Sequence, residues 1–177
     1  MKKTALVSLA LSVFSSALLI AADPPKQAVS NGKFTETTPI PKNAQGIAGT
    51  VWAKHWSCVG TAELKDGKIV LTSGVIYQFL PIVNNPQPYL LKGEIKASAL
   101  PGKQGVLTAR LSTCIRKDSK EPFSHSIQKK FGPFQLTESP QVFPFECRLE
   151  PYEQGYLYIG ESNAVIESVS LTATPVQ

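Results

Sequence analysis

The residues from Tyr89 to Ala97 alternate strictly: Tyr89, Leu91, Gly93, Ile95 and Ala97 fall on one side, Lys92, Glu94 and Lys96 on the other. A two-residue period sends neighbouring side chains to opposite faces of an extended chain, so this segment is a strand with one buried and one wet face. The period recurs from Val106 to Ile115, where Leu107, Ala109, Leu111 and Thr113 oppose Thr108, Arg110 and Ser112. Shorter strand-like runs cover 68–72, 75–82, 134–137, 142–149, 156–160 and 165–173. Turn residues separate the runs: Asp66-Gly67, Asn84-Asn85-Pro86, Pro101-Gly102, Ser139-Pro140 and Gln154-Gly155. Asp-Gly between two strands is a strong hairpin signal. No segment beyond the first 22 residues keeps a 3.6-residue apolar period. Eight or nine short strands with regular punctuation predict an all-β fold, an antiparallel sandwich or barrel.

The start of the chain reads differently. Met1-Lys2-Lys3 is a short basic opening, Ala5 to Ile20 is apolar apart from four serines, and Ala21-Ala22 precede Asp23-Pro24-Pro25. That order predicts a secretory signal over residues 1–22, cleaved near Ala22, and a secreted or periplasmic product. Residues 23–30 read as a linker and 31–177 as one binding domain. Lys2 and Lys3 leave with the signal, so part of the net charge of +5 is targeting. The remaining lysines are scattered, with no basic stripe suited to nucleic acid. Nothing later is long or apolar enough to span a membrane.

Chemistry is thinly supplied. The chain has two His, three Asp and three Cys. His55 and His125 lack ligand-like spacing, and no nucleophile elbow, phosphate loop or Cys-x-x-Cys is present. These absences predict a protein that is not an enzyme. Three cysteines allow three single bridges, 58–114, 58–147 or 114–147, or three free thiols that behave as small hydrophobes.

The order of several motifs resembles that of carbohydrate-binding modules of the cellulose- and xylan-binding type, whose fold is a galactose-binding-like jelly roll. The motifs are Asn31-Gly32-Lys33-Phe34-Thr35-Glu36, Trp56-Ser57, Ile76-Tyr77-Gln78-Phe79-Leu80, the Tyr89–Ala97 strand and Ile166-Glu167-Ser168-Val169-Ser170-Leu171. The resemblance spans residues 31–173. It implies non-catalytic binding of a polysaccharide or other glycan. The rival reading is a structural or adhesive envelope protein that binds another protein through the same sandwich. The resemblance also implies a structural calcium ion, to which Glu36 and Glu167 would offer hard oxygens. A solvated Glu167 beside a strand bulge is the simpler reading, and no cofactor is expected.

On the same analogy, residues 75–80, 156–160, 106–115 and part of 123–137 form one sheet. Phe79, Leu157, Ile159, Leu107, Ala109 and Leu111 then face the core. Gln78, Tyr156, Tyr158, Thr108, Arg110 and Ser112 face outward together, two aromatics with an amide, a guanidinium and hydroxyls. Trp52 and Trp56 lie nearby as stacking platforms, or else as core or rim plugs. The expected ligand-binding set is Trp52, Trp56, Gln78, Arg110, Tyr156 and Tyr158.

Overall fold

The structure, a computed structural model, describes residues 26–41, 44–80, 86–118 and 120–176. The expected signal and the Asn84-Asn85 turn lie outside these residues. Among the described residues there is no helix. The strands are β1 (Lys26–Gln27), β2 (Thr37–Pro39), β3 (Ile47–Ala48), β4 (Val51–Ala53), β5 (Ser57–Lys65), β6 (Lys68–Leu80), β7 (Tyr89–Ala99), β8 (Gly105–Ile115), β9 (Ile127–Leu136), β10 (Gln141–Leu149) and β11 (Glu153–Pro175). Asp66 and Gly67 both take positive φ in the tight β5–β6 hairpin, as the Asp-Gly pair predicts.

Two layers result, and β11 belongs to both. Residues 153–162 of β11 pair with β8, and residues 155–166 pair with β6. From Ala164 onward it pairs with β7, and its end also takes β1. One layer is therefore β3–β5–β6–β11–β8–β9 and the other β10–β7–β11–β1. A separate two-stranded ribbon, β2–β4, completes the set. All pairs are antiparallel except the two-residue contact of β3 with β5. The sandwich and the expected four-strand sheet are both present.

The expected short strands are longer than their apolar runs. The run at 68–72 and residues 75–80 of the next belong to one 13-residue strand, and those at 156–160 and 165–173 to one 23-residue strand. The breaks are kinks, not ends. Gly60 and Gly74 face each other across β5 and β6 with φ +122° and +98°. A Cβ on Gly74 would stand 2.1 Å from the Val59 carbonyl oxygen, so only glycine lets these backbones come so close. Nearby, Asn163 takes φ 51° where β11 changes partners, a conformation that Asn tolerates better than most residues. Its side-chain amide donates to the Gln104 carbonyl at 3.0 Å.

Residues 26–30, expected as linker, are part of the fold. Lys26 and Gln27 pair with Ala173 and Thr172, and Ala28 and Val29 are buried. The buried Gln78 amide clasps Ser30, accepting from its N–H at 2.7 Å and donating to its carbonyl at 3.0 Å.

The core lies between the layers. Leu91, Ile95, Leu107, Leu111, Leu157 and Ile159 are all fully buried. Phe134 on β9 stacks on Phe143 on β10 with ring centroids 4.9 Å apart, joining the layers at their open edge. All three cysteines are free. Burial pushes the Cys147 thiol up to about 11, with nearby Lys129 pulling the other way. Since only the thiolate is reactive, alkylation near neutral pH should leave Cys147 unmodified in the folded protein and modify it in urea. Mass spectrometry of the digested protein reads the difference, and rapid modification without urea would contradict the burial.

Candidate functional site

The outer face of the β5–β6–β11–β8–β9 layer carries two parallel rows of side chains. Strand register sets the first as Ser57, Tyr77, Tyr158, Arg110 and Lys130, each directly opposite the next. The second is Phe79, Tyr156, Ser112 and Gln128. The rows arise from parity alone: Ile76, Leu80, Leu157, Ile159 and Leu111 take the inward positions, which leaves the intervening residues outward.

The rings touch. Tyr77 and Tyr158 stack at 5.3 Å with an interplanar angle of 24°. Phe79 meets Tyr156 edge to face at 5.1 Å. The loop before β9 adds two rings: Phe123 lies 5.4 Å from Tyr156, and His125 lies 4.8 Å from Phe123 and 6.0 Å from Tyr156. The Arg110 guanidinium sits 4.8 Å above the Tyr158 ring, a cation–π contact that fixes both groups. Partial burial pushes the Tyr158 hydroxyl above its ordinary value, opposed by Arg110. That hydroxyl therefore remains a hydrogen-bond donor at neutral pH.

His125 is held by a relay. Ser112 Oγ accepts from the Gln128 amide at 2.5 Å and shares a hydrogen bond with His125 Nδ1 at 2.7 Å. Beside these rows, Val75, Thr108, Arg110, Phe131, Pro133 and Tyr158 help line a cleft of about 300 Å³.

Three of the expected site residues lie on this face: Tyr156, Tyr158 and Arg110. The other three are inside. Gln78 has the opposite parity to the one expected, because its amide finds partners in the core: Ser30, and the His55 carbonyl at 3.1 Å. A buried polar group that is fully hydrogen-bonded is tolerated. Phe79, expected in the core, is consequently on the outer face, with Tyr77. Trp52 and Trp56 are core plugs: both are buried, and their indole N–H groups donate to the Trp56 and Asn31 carbonyls at 2.9 and 3.2 Å. Tyr77, Phe79, Phe123 and His125 were missed. The signal for the first two was in the sequence, as the alternation Ile76-Tyr77-Gln78-Phe79-Leu80 read with its apolar ends inward.

The motif residues outside the face are structural. Asn31 holds its own loop by donating to the Glu36 and Lys54 carbonyls at 2.7 and 3.0 Å and accepting from the Glu36 N–H at 3.0 Å. A Cβ on Gly32 would stand 1.9 Å from the Val169 carbonyl oxygen, and Phe34 is buried edge to face against Trp56. Glu167 sits at a bulge in β11 and takes Lys68 at 2.5 Å and Lys96 at 2.8 Å. Hydrogen bonds from Lys68 and then Lys96 hold its carboxyl below the usual range. Glu36 pairs with Lys54 at 3.4 Å. Among the described residues, no three His, Cys, Asp or Glu side chains gather as a metal site requires.

No family model and no curated protein match the chain. Solved structures do. The CBM22-1 xylan-binding domain of Paenibacillus barcinonensis Xyn10C aligns over 89% of this chain and 100% of its own, at 11% identity and a TM-score of 0.57. The chain shares that domain's β-sandwich fold. A CBM4 structure (14% identity, 83% of this chain and 99% of that one, TM-score 0.44) and a family 29 carbohydrate-binding module from Piromyces equi (13%, 70% and 83%, 0.41) are also similar, too distantly to add to the point.

Proposed function

We infer that the two-row aromatic face binds a glycan without making or breaking a bond in it. The observation that carries this reading is the contiguous set of Tyr77, Tyr156, Tyr158 and Phe79 rings, flanked by Arg110, on a sheet face held rigid by the core beneath. Sugars present C–H faces that pack on rings and hydroxyls that take planar polar groups, and aromatics supply that area at low entropy cost. The shared fold with a xylan-binding domain supports the same reading. A protein partner would be expected on a contiguous apolar patch, but among the described residues the exposed large apolar side chains, Val51, Val59, Ile115 and Val142, lie on four different strands. The leader-like residues 1–22 put the proposed site of action outside the cytoplasm, in the periplasm or medium.

Tyr158→Ala is the test. Loss of a stacked ring at the centre of a site should weaken glycan binding about thirtyfold. Its stability cost should be only about 1 kcal/mol, the worth of the lost ring contacts. Leu157→Ala, one residue away and fully buried, should instead cost about 2–5 kcal/mol. A glycan array with the purified protein identifies the ligand, and titration calorimetry with urea unfolding separates the two effects. If Tyr158→Ala left binding to the array's ligand unchanged, the face would not be the site.

A further inference from the structure

The geometry points to a more specific ligand for the same face: a glycan whose sugars carry an anionic group, carboxylate or sulfate, seated on Arg110 and Lys130. The inference rests on the glycan reading above and narrows it.

Arg110 and Lys130 stand directly opposite each other on β8 and β9. Like charges at such a cross-strand position repel and destabilise the sheet. Cations in that position are ordinarily tolerated because acids lie beside them. Here neither residue takes part in any ion pair among the described residues. The adjacent lysine shows the contrast, since Lys129 has the opposite parity and is bound to the buried Glu153. Both cations line the 300 Å³ cleft beside Tyr158, and among the described residues none that lines it is acidic.

The guanidinium is also aimed in advance. Its contact with the Tyr158 ring restricts it, so less freedom is lost when an anion binds. A planar guanidinium engages a carboxylate or sulfate through paired N–H donors, and the ammonium beside it adds a charge-assisted bond. A sugar ring on Tyr158 would thus present its acidic substituent to the cleft.

The test compares each acidic probe with its neutral twin on the purified protein. One pair is tetragalacturonate and its carboxyl-reduced form. The other is a sulfated galactan oligosaccharide and its desulfated form. At least one acidic member should bind about tenfold or more tightly than its twin, the worth of a charge-assisted contact, and the preference should shrink with added salt. Arg110→Gln with Lys130→Gln should abolish the preference, while Lys92→Gln, on the other layer, should leave it intact. Which pair shows the preference tells carboxylate from sulfate. Equal binding of acidic and neutral twins, still lost in Tyr158→Ala, would overturn this proposal and leave the glycan reading standing. A preference that survives Arg110→Gln with Lys130→Gln would overturn it too. Failure of every glycan on the array to bind would remove both.

Discussion

Gly74→Ala should cost at least about 4 kcal/mol, in the range reserved for severe backbone strain or steric conflict, or prevent folding altogether. Two effects combine. The φ of +98° at Gly74 is one that residues with a side chain rarely adopt. The new Cβ would also stand 2.1 Å from the Val59 carbonyl oxygen and 2.7 Å from Gly60 Cα. Both are backbone atoms, so no rotamer change relieves the contact, and β5 must move off β6. Gly67→Ala isolates the first effect, since Gly67 also has positive φ (+71°) but nothing lies within 4 Å of its Cβ position. It should cost only about 1–2 kcal/mol. Urea unfolding of both variants gives the comparison. Equal losses would mean that the close approach of the strands contributes nothing.

Glu153→Ala should cost about 3–5 kcal/mol, the usual loss when one partner of a buried ion pair is removed. The Glu153 side chain is fully buried and the Lys129 side chain is 24% exposed. The carboxylate also accepts from Thr113 Oγ1 at 2.5 Å and from the Glu150 N–H at 2.9 Å. It thereby closes the β10–β11 turn and ties it to β8 and β9. Removing it strands a hydroxyl, an amide and an ammonium at once. Replacing both Glu153 and Lys129 by Met should recover only the part of the loss due to the unpaired ammonium, because the Thr113 hydroxyl and the Glu150 N–H still lack their acceptor. Unfolding curves of the single and double variants decide the matter. A single variant within about 1 kcal/mol of the parent would show that the pair behaves like an exposed one.

Most of the fold could be read along the chain because β7 alternates from Tyr89 to Ala97, β8 alternates from Gly105 to Leu111, and the Asp66-Gly67 turn is unambiguous. The residues that misled did so for one reason: their partners are distant in sequence. Gln78 looks outward by its polarity, and only the Ser30 and His55 backbone groups explain its burial. That one inversion carried Phe79 to the wrong side and hid Tyr77. Trp52 and Trp56 look like platforms until their N–H partners are known. Ala28 and Val29 follow a Pro-Pro pair and read as linker, because the strand that covers them comes at the far end of the chain. Tyr156, Tyr158 and Arg110 were legible because Leu157, Ile159, Ala109 and Leu111 fix their parity within their own strands.

The placement of β11 has a consequence for how the protein is made. β1, β6, β7 and β8 all lie against this one strand, so neither layer can close until residues 153–175 have left the ribosome. Everything synthesised before them waits with exposed strand edges. Folding is then a late event dominated by pairings between distant residues, and such topologies fold slowly. Until β11 arrives, the unpaired edges of the earlier strands stay open to other chains, and the one strand both layers share decides how long that exposure lasts.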